Sequence, residues 1–180
     1  YDKFFVETWV DSALRSFTSR NFKIVGESGH VYGYGKSVWA MIDLDTRHPA
    51  DILAVRGGLI TEYIETEYPC PIEKSSRVKL SVGATPIRSI DTYYNDVDIN
   101  GHINSVKYIE HVLDLWDVAW YKQHCIKRFE IAYVAESHQG DRLHFYREGR
   151  DSDTDFDVRI TKSNRDSAEV EVCRCRVQFV

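Results

Sequence analysis

One ten-residue stretch gathers groups that could do chemistry. In Asn95-Asp96-Val97-Asp98-Ile99-Asn100-Gly101-His102-Ile103-Asn104, six side chains accept, donate or titrate, and an apolar segment of helical period follows at once. A helix N-terminus offers free backbone N–H groups and a partial positive charge. Polar groups collected there can hold a carbonyl oxygen while it becomes an oxyanion. The same residues also have a purely structural use, because Asp98, Asn100 and Asn104 can cap a helix and shape a turn. Capping needs one such residue, however, and has no need of His102. On residue types alone both readings stand. A second candidate is Glu136, at the end of the apolar run Ile131-Ala132-Tyr133-Val134-Ala135 and followed by Ser137-His138. A carboxylate where a core strand emerges is ordinarily solvated. Buried beside a pocket, its pKa would rise toward neutrality and suit general-base work.

Several other chemistries lack their residues. There is no Gly-x-Ser-x-Gly elbow, no Walker loop, and no third glycine after Gly33-Tyr34-Gly35 to make a dinucleotide loop. His102 and His111 are not at i, i+4 spacing, so no metal and no cofactor is expected. Cys173 and Cys175 fall on one face of a strand and read as packed thiols. Net charge is −5, from 23 basic and 28 acidic residues, which argues against general nucleic-acid binding.

The elements that must position these groups follow from periodicity. Apolar residues at Val106, Ile109, Leu113, Trp116 and Trp120 predict one long helix, widened by Tyr108, Val112, Leu115 and Ala119. Lys107, Glu110, His111, Asp114 and Asp117 make its polar face, and Asn100, Gly101 and Asn104 are start signals. Four strand-like runs come after it: 128–135, 141–148, 155–162 and 168–180. In the last, apolar parity changes near Val172-Cys173, which predicts a bulge or a strand covered on both faces. A sheet must bury one face, and that helix is the element of the right length. An antiparallel sheet curved around one central helix is expected.

The front of the chain, residues 2–45, reads as antiparallel β ribbon with a hairpin loop at Gly26-Glu27-Ser28-Gly29. All four prolines lie between Pro49 and Pro86, which marks connecting structure. Within it, 74–90 carries Lys74, Arg77, Lys79 and Arg88 and no acid, either a solvated linker or a landing strip for an acidic partner. With 180 residues, 43% of them apolar, the chain can build a sizeable core, and no run approaches the ~20 apolar residues of a membrane-spanning helix.

The segment Asp98-Ile99-Asn100-Gly101-His102-Ile103-Asn104-Ser105-Val106-Lys107-Tyr108 resembles the signature Asp-x-Asn-x-His-x-Asn-Asn-x-x-Tyr of acyl-acyl carrier protein (ACP) thioesterases, bacterial members especially. Thr8-Trp9, Ser19-Arg20, Ser37 to Asp43 and Thr46-Arg47-His48-Pro49-Ala50 are similar to that family's first-domain strands. The resemblance implies an α+β fold of two tandem hot-dog domains: a first, 1–80, incomplete at its N-terminus, and a second, 81–180, with the catalytic residues. It implies hydrolysis of fatty acyl-ACP, with an acyl-coenzyme A thioesterase or a non-catalytic acyl-binding module as alternatives. It places the family's catalytic aspartate, asparagine and histidine on Asp98, Asn100 and His102. The family's Tyr-x-x-Glu-Cys falls on Tyr133-Val134-Ala135-Glu136-Ser137, so the carboxylate is kept and a cysteine nucleophile is not supported. Water attack then takes Glu136 as base, with Asn100 and His102 orienting, Asp98 fixing one of them, and amides near Asn104 and Ser105 taking the oxyanion. Alternatively His102 is the base and Glu136 orients it. The partner expected is ACP with its phosphopantetheine-linked acyl chain, docking at Lys74, Arg77, Lys79 and Arg88, with Lys127 and Arg128 as a second patch. A cytoplasmic protein, a homodimer among its expected assemblies, completes the expectation.

Overall fold

The computed structural model describes residues 2–81, 83–164 and 168–180. They form two compact units, one running to Lys74 and the other Ser75–Val180.

The first unit is a three-stranded antiparallel sheet of β1 (Phe4–Leu14), β2 (Phe17–Gly26) and β3 (Val31–Ala40), in that order. A bulge between Val10 and Ser12 makes Asp11 the extra residue. Its carboxylate accepts from Asn21 Nδ2 at 3.2 Å and Lys36 Nζ at 2.7 Å. Trp9 and Val10 are both buried at this bulge, and the Trp9 ring meets Tyr68 edge-on at 4.8 Å. The proline-rich connection holds short 3₁₀ turns within Ile52–Tyr63, broken by left-handed backbone at Arg56, Gly57 and Gly58.

The second unit is a five-stranded antiparallel sheet of β4 (Arg88–Asp91), β5 (Ile126–Tyr133), β6 (Arg142–Gly149), β7 (Asp155–Ser163) and β8 (Val170–Phe179), in the order β4-β6-β7-β8-β5. Alternate residues point to one face and are closed to solvent: Leu143 and Phe145, Val158 and Ile160, Cys173, Cys175 and Val177. Each such side chain contributes about 1.5–3 kcal/mol on burial. The expected bulge is present: Ile160 pairs with Cys173 but Thr161 with Glu171, so Val172 is extra and lies buried beside Cys173. Burial pushes the Cys175 thiol up to about 12 and Cys173 higher, as packed thiols should behave.

Against that face lies α1 (Ser105–Leu113). The helix is shorter than its period predicts. Asp114 closes it, its N–H bonded to the Glu110 carbonyl at 3.0 Å. Asp117 then caps a separate turn, α2 (Val118–Tyr121), by accepting from Trp120 N–H at 2.8 Å. Short acidic side chains bond nearby backbone in preference to continuing a helix. The apolar period survives the break, so Trp116 still enters the core. The stripe is also rotated: Tyr108 and Val112 are its deepest residues, while Val106 is 52% exposed. His111, expected on the polar face, is instead mostly buried, its ring 6.1 Å from Phe145. The C-terminal carbonyls past α1 are held by two guanidinium groups: Arg88 donates to the Asp114 carbonyl at 3.1 Å and Arg147 to that of Leu115 at 2.6 Å.

Segment 75–81 is not a solvated linker but a strap over the opposite face of the sheet. Ser76 N–H donates to Glu130 on β5 at 2.6 Å, Lys79 N–H to Asp157 on β7 at 2.9 Å, and Ser81 N–H to Glu148 on β6 at 2.8 Å. The Arg176 guanidinium of β8 reaches the Ser76 hydroxyl. Among the described residues no helix is long and apolar enough to cross a membrane.

Candidate active site

Residues 97–103 fold back on themselves. An antiparallel bridge joins Val97 to Ile103, Asp98 N–H donates to the His102 carbonyl at 2.8 Å, and Gly101 N–H returns to the Asp98 carbonyl at 3.1 Å. Gly101 turns the chain at φ 82°, in the left-handed region that glycine enters at least cost. The Asp98 carboxylate sits inside this turn, accepting from Asn100 N–H at 2.8 Å and His102 N–H at 3.2 Å. Burial pushes its pKa up, but these two amides, with the Asn100 side chain and the nearby His102, together outweigh that and hold it below the ordinary aspartate value. Asn100 Nδ2 lies 3.5 Å from the other carboxylate oxygen. Asp98 therefore fixes where both Asn100 and His102 stand.

Glu136 arrives from the exit of β5. Val134 N–H bonds the Val172 carbonyl at 2.8 Å, and Ile103 N–H bonds the Ser137 carbonyl at 2.8 Å, which ties the two loops together. Across that tie His102 Nε2 stands 3.3 Å from Glu136 Oε2. The imidazole is 29% exposed and the carboxylate 51%. The burial expected of Glu136 is thus not found. Ser137, where the resemblance would put a cysteine, is fully buried.

Four further residues frame this pair, and periodicity alone gave no sign of them. His138 places its ring edge-on to His102 at 5.1 Å. Lys162 Nζ donates to the Glu136 carbonyl at 2.7 Å and pairs with Asp141 at 3.2 Å. Asp141 accepts from His138 N–H at 3.0 Å, and the Thr92 hydroxyl lies 2.9 and 2.8 Å from the His138 and Asp141 carbonyls. Their one sequence signal is negative: polar residues buried at strand ends require partners.

At the helix start, Asn104 is the cap, accepting from Val106 N–H at 2.9 Å, while its carbonyl takes Lys107 N–H at 2.9 Å. The Val106 and Lys107 amides of the first turn are therefore engaged by the cap. The Tyr133 hydroxyl donates to the Ser105 carbonyl at 3.0 Å, tying α1 to the end of β5. Among the described residues no cluster of three or more His, Cys, Asp or Glu is placed to hold a metal ion.

Within the second unit, Arg88 stands apart from Arg77 and Lys79. Lys74 belongs to the first unit. Arg88 pairs with Asp114 at 3.4 Å beyond the end of α1, whereas Arg77 and Lys79 lie on the strap, across the sheet from α1. Arg128 pairs with Glu130 at 2.7 Å.

Comparison with known proteins agrees with this architecture. Residues 81–179 match the model of the acyl-ACP thioesterase C-terminal domain, and residues 1–55 that of the N-terminal domain. The crystal structure of an acyl-ACP thioesterase from Bacteroides thetaiotaomicron superposes with TM-score 0.88 at 46% identity, over 100% of this chain and 70% of that one. The 12:0-ACP thioesterase from Umbellularia californica, at 21% identity, shares the fold with TM-score 0.77 over 97% of this chain and 66% of its own. A palmitoyl-acyl carrier protein thioesterase of Gossypium hirsutum is 26% identical over 163 residues, 88% of this chain. The chain spans 40% of that relative's length. The sheet-and-helix arrangement of the second unit is the hot-dog fold, and the chain belongs to the acyl-ACP thioesterase family.

Proposed function

We propose that this chain carries the catalytic centre of an acyl-ACP thioesterase, which hydrolyses a fatty acyl thioester to the free acid and the carrier's thiol. The observation that carries this reading is the 3.3 Å approach of His102 Nε2 to Glu136 Oε2 beside the start of α1, in a chain of this family. A water molecule gives up a proton to this pair as its oxygen attacks the thioester carbonyl carbon. The carbonyl oxygen becomes an oxyanion, the C–S bond breaks, and the departing thiolate recovers the proton. A thiol of pKa ~8.5 leaves without strong acid assistance, so the protein need supply only the activated water and a cradle for the oxyanion.

In this reading the roles divide as follows. Asn100 offers its amide to the carbonyl oxygen. Asp98 is a positioning residue, since its carboxylate accepts the backbone amides of both Asn100 and His102. Glu136 is half exposed and lacks the desolvation a carboxylate base relies on. That favours His102 as proton acceptor, with Glu136 orienting it and stabilising the imidazolium. The acyl donor in this reading is ACP, supported by the family and by the relatives' printed names.

The test is thiol release from palmitoyl-ACP and from palmitoyl-coenzyme A by the full-length protein. A kcat/KM at least tenfold higher for the carrier-protein ester is expected. Equal rates on both esters would make it a coenzyme A-type thioesterase. Binding without release of either would make it an acyl-binding module.

A further inference from the structure

The outer face of the second unit's sheet holds a cleft remote from the thioester chemistry. Strap residues and strands β7 and β8 enclose about 370 Å³, into which Arg77, Lys79, Arg159 and Arg174 converge with the single carboxylate of Glu171. Val78 and Leu80 supply an apolar wall. A second hollow of about 270 Å³ adjoins it and shares Arg77, Val78 and Arg174. Four cations against one anion is a local excess of three positive charges on a chain whose net charge is −5.

Neighbouring carboxylates offset that excess only in part, because most are engaged elsewhere. Glu171 is taken by Arg174 at 2.5 Å, Glu130 by Arg128 and Ser76, and Asp157 by Arg150 and the Lys79 amide. Glu169, held by the Tyr146 and Thr161 hydroxyls, keeps its charge and acts on Arg159 from the side. Among the described residues Arg77, Lys79 and Arg159 are in no ion pair. The Arg159 guanidinium carbon stands 4.6 Å from the centre of the Tyr146 ring, and its Nε is buried with no hydrogen-bond partner among the described residues. Arg159 also lines the cleft, and an anionic oxygen is the partner that suits a guanidinium in no ion pair best. The strap itself is pinned by Ser76, Lys79 and Ser81, so the cleft exists before any ligand arrives.

We propose that this cleft binds a pyrophosphate group, with Arg77, Lys79 and Arg159 as its anion ligands and Val78 and Leu80 against the rest of the molecule. The space exceeds that of inorganic pyrophosphate alone, which fits a nucleoside diphosphate or the same moiety within coenzyme A. The site is on the sheet face opposite α1, so its occupant is a ligand distinct from the reacting thioester. The inference stands whether or not the hydrolytic reading holds, because it is read by binding alone.

The experiment is calorimetric titration of the full-length protein with inorganic pyrophosphate, ADP and coenzyme A at about 0.1 M salt. Saturable binding at one site per chain is expected for pyrophosphate, tighter for whichever larger ligand is the source. Arg77→Gln and Arg159→Gln should each weaken it about tenfold. Glu171→Gln, which removes the one carboxylate, should tighten it. His102→Ala should leave it unchanged. Absence of saturable binding by all three ligands overturns the proposal, as does an affinity indifferent to Arg77→Gln, an exposed strap residue whose loss the fold tolerates. Capture of acidic carrier protein by this face, with no pyrophosphate binding, would assign it to a protein partner and equally overturn it.

Discussion

His102 Nε2 and Glu136 Oε2 face each other at 3.3 Å, one from the loop opening α1 and the other from the loop leaving β5. Neither loop makes the contact alone. It exists because Ile103 N–H bonds the Ser137 carbonyl, so backbone pairing one residue away sets the distance between the side chains.

Removing either member of the pair should cost much of the rate. His102→Ala and Glu136→Gln are each expected to lower kcat by about 10²–10⁴, the usual contribution of a positioned acid–base group. Steady-state thiol release checks this, and an unchanged KM would show that the loss lies in chemistry and not in binding.

Asp98 acts through its neighbours, so its conservative variant should recover part of what truncation loses. Asp98→Ala is expected to lower kcat by about 10²-fold by releasing the turn. Asp98→Asn keeps an oxygen for the amides of Asn100 and His102 and should fall well short of that loss. Equal losses in both variants would mean that the charge itself, and not the turn, is what matters.

Lys162 supports the other loop. Its ammonium donates to the Glu136 carbonyl and pairs with Asp141, which in turn accepts from His138 N–H. Lys162→Met should lower kcat by about tenfold or more through misplacement of Glu136, with Tm reduced only slightly. Faster hydrogen exchange confined to 134–141 would report the loosened loop directly.

The fold itself should respond to mild acid through His111. Burial lowers its pKa, and nearby Asp96, 3.8 Å from Nε2, offsets this only in part; Arg88 adds to the lowering, while Asp114 and Glu110 oppose it. A histidine with a depressed folded pKa binds its proton more readily when unfolded. Its stabilising effect is therefore complete above the unfolded value, ~6.5, and is progressively lost as pH falls below it. Wild-type Tm should drop between about pH 7 and 5, and His111→Gln should flatten that drop. A steeper drop in the variant would reverse the sign and refute the assignment.

Much of the sheet was legible in the sequence, because strands buried on one face alternate strictly. The parity change at Val172-Cys173 even located the bulge. The helix was overread, since Trp116 and Trp120 keep the apolar period while Asp114 and Asp117 break the backbone between them. His111 was assigned to solvent because periodicity cannot show which flank of a stripe a second loop will cover. The strap was invisible for a different reason. Its anchors Glu130, Glu148 and Asp157 are far away in the chain, and a Ser-Ser-Arg-Val-Lys-Leu-Ser segment gives no sign of them. At the site, Asp98, Asn100, His102 and Glu136 were nameable from residue type and resemblance. Thr92, Asp141 and Lys162 were not, because their partners are set by the tertiary fold.

The most direct test is a double-mutant cycle on single-turnover hydrolysis of palmitoyl-ACP, with His102→Ala, Glu136→Ala and the two combined in the full-length protein. Groups acting as one unit are strongly non-additive, so the double variant should be no slower than the slower single one. Losses that multiply, or full activity in Glu136→Ala, would contradict a reaction run by this pair.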